Sequence, residues 1–472
     1  MKRNILLTVC MSLSLMFFVF QGNAKVKLPA VFSDNMVLQQ QTDAAIWGKA
    51  SPGEKVKVLT SWNNKNYSVK SDNQGNFKLK VQTPEAGGPY EITFYDGEKL
   101  ILHDVLIGEV WFCSGQSNMQ MPVKGFTTMP VLNSNEVIAT SANPYIRLFQ
   151  TKRNKSLSPL DDFLNGEKWE KCIPENVADF SAAAYFFGVT LQKVLGVPVG
   201  LIDDSWGGTR IEPWMSTSGL QKFDFVKLPD KKMKKDFSHQ TPTVLYNALV
   251  HPFVGYAIKG ALWYQGEANR NEPVNYEKLM PGLIKDWRKN WDIGNFPFYY
   301  AQIAPYKYKS GNSAFLREAQ LKASTVLPNI GMACMMDIGE KNNIHPCRKK
   351  ITGERFAWLA LSKTYGLKGI VAEGPILKKM TTESSIVKLT FDHAPMGLTS
   401  YGKELKNFKI AGDDKKFYSA KATITREGIT LSSPYVEKVV AVRYAFDDFV
   451  VGDLFNTYGL PATSFRTDNW DK

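Results

Sequence analysis

The sequence predicts an α/β protein: a doubly wound parallel sheet flanked, before and after it in the chain, by β-sandwich-like segments. Two observations carry this. From about residue 104 to 367, short apolar runs alternate with helical stretches, the rhythm of strands joined by crossover helices that cover both sheet faces. On either side of that region the apolar residues recur every second position instead. The length of 472 residues allows two or three domains, and 44% apolar with 22% charged residues excludes a disordered or collagen-like chain.

Taken in order, residues 1–24 read as a secretory signal peptide. Lys2 and Arg3 precede an apolar run from Ile5 to Phe20, and the stretch closes on Gln21-Gly22-Asn23-Ala24. The run is short for a bilayer span, and Cys10 lies inside it rather than at its end. The mature chain is expected to be exported, to periplasm or medium, with no later spanning segment. Residues 25–103 form an N-terminal β-sandwich domain. Val56 and Val58 alternate with polar neighbours, as do Phe77, Leu79 and Val81, and Asp72-Asn73-Gln74-Gly75 turns the chain between such runs.

Residues 104–367 form the α/β domain. A strand over 110–113 leads into Ser-Gly-Gln-Ser. A helix over 182–195 places Ala184, Phe187, Leu191 and Leu195 on one face and stops at Gly196. Strands over 197–202, 258–264 and 331–336 alternate with helices over 276–291 and 348–363. Residues 368–472 return to β periodicity, at 386–391, 422–425 and 439–446. Whether this C-terminal region joins the N-terminal one is open in the sequence.

Charge points weakly toward acidic partners. Loss of Lys2 and Arg3 takes the formal charge from +13 to +11. The run Lys231-Lys232-Met233-Lys234-Lys235 reads as a solvated loop, and no zinc-finger spacing or basic helix suggests nucleic acid. Cys113, Cys172, Cys334 and Cys347 remain after cleavage; Cys113 and Cys334 read as buried thiols, and the pairing of the other two is open.

In an open α/β sheet, ligands bind beyond the carboxyl ends of the strands. Four polar, glycine-bearing segments fall there: residues 114–119, 205–210, 265–269 and 337–346. A serine becomes a nucleophile when a base takes its proton. Of the five histidines, His103 and His393 lie in β segments, His239 lies near the basic loop, and His251 is the remaining rival. Only His345 follows a strand end within these segments, so Ser117 with His345 is the favoured pair. Acyl transfer also needs donors for an oxyanion. Backbone N–H groups of Ser117 and of the Gly207-Gly208 turn suit this, with the side-chain amide of Gln265 or Asn269 as a third. No GxGxxG opens a helix after a first strand, and no GxSxG is present, so a dinucleotide site and an α/β-hydrolase elbow are both unsupported.

Gly-Gln-Ser-Asn-Met at 115–119, Ser-Trp-Gly-Gly-Thr at 205–209, Trp-Tyr-Gln-Gly-Glu at 263–267 and the segment Asp337…His345-Pro346 resemble the sialate O-acetylesterase family, within the SGNH (GDSL-like) hydrolases. The flanks agree, from Leu28-Pro29-Ala30-Val31-Phe32 to Phe465-Arg466-Thr467. The resemblance implies a serine esterase removing acetyl groups from sugar hydroxyls, O-acetylated sialic acids first, with acetyl-xylan or another hemicellulose as the alternative. It implies Ser117 as nucleophile, His345 as base, and an oxyanion hole of Ser117, Gly207 and Gln265, with no metal or organic cofactor. Arg210, Trp214, Arg317 and Asn269 are the expected substrate contacts, since an arginine holds a carboxylate by paired hydrogen bonds. One departure stands out. Relatives place an aspartate two or three residues before the histidine, where this chain has Asn343 and Asn342. The third catalytic residue is then Asp337, Glu340 or Glu267, with Asp337 preferred, or the site works as a Ser–His dyad. An inactive carbohydrate-binding protein is the remaining reading.

Overall fold

The computed structural model describes residues 26–230, 237–383 and 385–470. The expected leader and the lysine run 231–235 lie outside the described residues. A seven-strand layer forms the centre: β1 (Lys99–Gly115), β2 (Asn143–Gln150), β3 (Trp169–Cys172), β4 (Val199–Ser205), β5 (Gly260–Tyr264), β6 (Phe298–Ala301) and β7 (Ile330–Ala333). Their order is β7-β6-β5-β1-β4-β2-β3, parallel throughout except for the edge strand β3. The chain starts in the middle with β1, fills one side, then crosses to the other at β5. Strand β1 is therefore the switch point, and its carboxyl end is where such sheets bind ligands.

Every residue of β4 and β5 is buried, as expected of strands covered on both faces. Alternation within β1 divides the core. Phe112 meets Phe253, Trp287 and Trp291 on one face, with ring centroids 5.2–5.4 Å apart. Trp111 meets Phe187 and Tyr299 on the other, at 5.0 and 6.0 Å. Each such aromatic pair adds about 0.5–1.5 kcal/mol beyond its burial.

Helix α1 (Ser117–Gln120) is a single turn directly after β1. Helix α2 spans Ala182–Leu195, as the apolar spacing predicts, and Gly196 ends it at φ 69°. Ser181 caps its start: the hydroxyl accepts from the Ala184 N–H at 3.1 Å and donates to the Met119 carbonyl at 2.6 Å. The cap thereby ties α2 to the turn that carries Ser117. Helices α3 (Pro273–Trp291), α4 (Ala314–Ala323) and α5 (Lys349–Leu359) complete the layers, with α5 packed along α2.

The N-terminal region is two β layers, as period-two alternation predicts. Asp43–Lys49 pairs with Asn76–Gln82, while Lys55–Thr60, Lys65–Lys70 and Gly87–Tyr95 run antiparallel into the first half of β1. The division expected between 103 and 104 falls inside β1, which serves both sheets without a break. After residue 368 two four-stranded sheets enclose their own core of Val387, Leu389, Phe408, Ile410, Tyr444 and Phe465. Cys334 and Met336, just past β7, reach into that core. Among the described residues no C-terminal strand pairs with an N-terminal one, so the C-terminal region attaches through the central domain. The four cysteines among the described residues are free thiols, three of them buried.

Candidate active site

Three of the four predicted segments meet at the switch point, because their strands are neighbours. Gly115 at the end of β1 stands in register with Ser205 of β4 and Tyr264 of β5. Gly115 itself has φ +140°, and a Cβ there would lie 2.2 Å from the Tyr264 carbonyl oxygen. Only glycine lets the chain leave the sheet at that angle and height. Ser117 follows, half-buried, at the first position of α1. Its backbone N–H has no acceptor among the described residues, as expected for the opening N–H of a helical turn.

The fourth segment comes from β7, three strands from β1, and buried polar contacts bring it in. Asn118, next to Ser117, donates to the Ile344 carbonyl at 3.1 Å and to the Glu267 carboxylate at 2.6 Å. Its own side-chain oxygen accepts from the Lys349 ammonium. One buried amide thus links the serine turn, the segment after β5, the start of α5 and the residue before His345. Burial raises the Glu267 pKa and lowers that of Lys349 to about 7. Glu340 holds the rest of the loop, accepting from the Cys347 N–H at 2.7 Å and the Asn343 amide at 3.2 Å, while Asn343 accepts from the His345 N–H at 3.0 Å.

The imidazole of His345 has defined surroundings. Nδ1 contacts the Met129 sulfur at 2.8 Å, and the ring meets Phe126 edge-on at 5.3 Å. A thioether can only accept, so Nδ1 carries the proton and the Nε2 lone pair is left open. Nε2 is buried and has no partner among the described residues. Burial, reinforced by the charge of Lys349, lowers the His345 pKa to about 4, so the ring is neutral near pH 7.

Asp337 is not brought to His345. Its carboxylate makes a bidentate pair with Arg355, both bonds 2.7 Å, and Arg355 also donates to the Cys334 carbonyl at 2.6 Å. The preferred acid of the sequence reading therefore anchors α5, and Met129 stands against Nδ1.

Gly207 lies against the serine: a Cβ on it would come within 3.1 Å of the Ser117 Cβ. Its N–H donates to the Gln120 side-chain oxygen at 2.8 Å. That oxygen occupies the acceptor position of the Gly207 N–H. Gln265 is a different case. Both amide hydrogens are engaged, with the Thr209 carbonyl at 3.1 Å and Asn269 at 2.8 Å, which places it behind the glycine turn rather than in the cleft.

The expected substrate contacts are also committed elsewhere. Asn269 is buried, accepting from the Ile211 N–H and donating to Glu212. Arg210 pairs with Glu212 and Glu272. Trp214 is fully buried, its indole N–H on Thr209. Arg317 is buried against the C-terminal region, on Ser313, Ser464 and the Asp447 carbonyl. A motif places a residue in sequence, but not the direction of its side chain. The sequence reading gave no role to Gln120, Met129 or Lys349. Gln120 was reachable, lying three residues after Ser117 and so on the same helical face; nothing local signals Met129 or Lys349.

Known proteins align with this geometry. A family model described as carbohydrate esterase, sialic acid-specific acetylesterase matches residues 107–357. The chain is 30% identical to the sialate O-acetylesterase of Homo sapiens over 468 residues, covering 89% of this chain and 87% of that one. It is 30% identical to the Mus musculus sialate O-acetylesterase over 429 residues, covering 77% and 78%. A carbohydrate acetylesterase from Xanthomonas citri superposes with a TM-score of 0.87 at 32% identity, over 94% of this chain and all of that one. With the family match covering more than half of the chain and the relatives most of it, the protein belongs to the sialic acid-specific acetylesterase family of carbohydrate esterases.

Proposed function

We propose that this chain is a serine esterase that hydrolyses O-acetyl esters on sugars, O-acetylated sialic acids foremost, through a Ser117–His345 dyad. The observation that carries the reading is the open, buried Nε2 of His345, on a loop tied through Asn118 to the Ser117 turn. The Ser117 hydroxyl attacks the acetyl carbonyl and its proton passes to Nε2. The oxyanion displaces the Gln120 side-chain oxygen from the Gly207 N–H and accepts from that group and from the Ser117 N–H. The bond to the sugar oxygen then breaks as Nε2 returns the proton to it. Water, deprotonated by Nε2, attacks the acetyl-enzyme, and acetate leaves with Ser117 restored.

A carboxylate partner usually stabilises the imidazolium formed in such a cycle. Here the family's preceding acid is Asn343 or Asn342, and the Met129 contact fixes the tautomer without adding charge. Export follows from the leader-like residues 1–24, and sequencing the N-terminus of protein recovered from the cell envelope or medium checks cleavage after Ala24. Among the described residues no helix is long and apolar enough to cross a membrane.

The test is acetate release from O-acetylated sialic acid and from acetyl-xylan by residues 25–472 and by Ser117→Ala. Release from sialate falling at least about a thousandfold in the variant is expected. Release from xylan alone favours the neutral-polysaccharide reading, to which the broadly named Xanthomonas citri carbohydrate acetylesterase lends weight. Folded wild-type protein inactive on both and unlabelled by a fluorophosphonate would reduce the chain to a binding protein.

A further inference from the structure

We infer that Arg153, held over Trp206 beside the serine turn, is the residue that recognises the carboxylate of an acidic O-acetyl sugar. The inference rests on the esterase reading above and names the feature of the substrate that selects it. Trp206 directly precedes Gly207, whose backbone approaches Ser117. The Arg153 guanidinium lies 5.6 Å from the Trp206 ring centroid, and the other partner of that ring is His239, stacked at 5.1 Å and 10°. The guanidinium donates once, to the Gln120 oxygen at 3.1 Å, the same oxygen that accepts from the Gly207 N–H. Arg153 is thus one side chain away from the place proposed for the oxyanion.

No carboxylate among the described residues neutralises its charge. Arg153 is exposed, and among the described residues it forms no ion pair. Three other arginines near the motifs are spent, Arg210 on Glu212 and Glu272, Arg355 on Asp337, Arg317 on the C-terminal region. Lys155, two residues on, adds a second cation whose ammonium bonds the Phe237 carbonyl. Burial first, and then the charges of Lys155 and Arg153, lower the His239 pKa. One of five guanidinium donors is occupied, so a paired fork remains for a carboxylate. Two cations beside the serine turn with no carboxylate partner among the described residues suit an anionic substrate and offer little to a neutral one.

The experiment measures kcat and KM for O-acetylated sialic acid and for its carboxyl methyl ester, with wild type, Arg153→Met and Arg153→Lys. Wild type should prefer the free acid by about tenfold or more in kcat/KM, mostly through KM, as one charge-assisted pair provides. Arg153→Met should collapse that preference to near unity, and Arg153→Lys should retain part of it. A wild type that treats acid and ester alike overturns the inference. So does an Arg153→Met enzyme that keeps the wild-type preference at any overall rate, since Arg153 would then only support Gln120. Failure of the underlying reading looks different: Ser117-dependent hydrolysis of 4-nitrophenyl acetate with no release from either sialate form overturns the sialate assignment, and the inference with it.

Discussion

His345 shows what burial does to an imidazole with no carboxylate beside it. Burial holds its pKa at about 4 where the ordinary value is 6.5. A base must be neutral to act, so activity is lost as pH falls through the folded pKa. The acidic limb of kcat/KM, which reports the free enzyme, is therefore expected near pH 4. With an ester that carries no ionisable group, the value at pH 5 should stay within about twofold of that at pH 7; an unshifted histidine would lose more than about tenfold over the same range. Asp337 makes the contrasting case. Asp337→Asn should leave that limb in place and instead destabilise the protein by about 3–5 kcal/mol, because Arg355 is left buried without its partner. Denaturant unfolding beside a pH–rate profile separates this from a catalytic acid, whose loss would move the limb.

At the scale of the element, the end of β1 and the end of β4 are the sensitive points. Gly115→Ala forces a side chain into the Tyr264 carbonyl at a φ that L residues rarely adopt. A loss of more than about 3 kcal/mol is expected, read from the urea midpoint or from failure to recover soluble protein. Strand β4 ends in two buried carboxylates. Burial lifts the Asp203 pKa from 3.8 to about 7, opposed by hydrogen bonds from Ser205 and Gln150. A folded-state pKa above the unfolded one gives stability that is complete below 3.8 and declines until about pH 7. Asp203→Asn should flatten that decline, measured as urea midpoints at pH 4.5 and 7.5; an equal slope in both proteins would remove Asp203 as its source.

The whole molecule is held as one body by two devices. Strand β1 runs unbroken from the N-terminal layer into the central sheet, so those two regions share a core. The C-terminal region instead docks by side chains. Arg317 reaches Ser464 and the Asp447 carbonyl, and Arg466 pairs with Glu318 at 3.0 Å. Arg317→Met leaves those acceptors unsatisfied in a buried joint. A loss of about 2 kcal/mol or more is expected, and limited proteolysis should release the C-terminal region faster than in wild type.

Much of this was determined locally and so lay open in the sequence. Helix α2 carries its cap at Ser181, its apolar face and its stop at Gly196 within sixteen residues. The strand-end motifs marked Ser117, Gly207 and His345, because a doubly wound sheet gathers the carboxyl ends of neighbouring strands wherever the helices pack. Direction and partnership were another matter. Arg210, Trp214, Arg317 and Asn269 sit in or near motifs, yet their side chains turn to protein partners up to 147 residues away. Asp337 chose Arg355, eighteen residues on, over the nearer His345. Arg153 has no motif at all, and only the packing of β2 and β1 on either side of β4 sets it beside Trp206 and Gln120. Period and turn chemistry act over a few residues and fix which elements form. The partner of a buried charge is decided by which elements desolvate it together, and that is set only when the layers close.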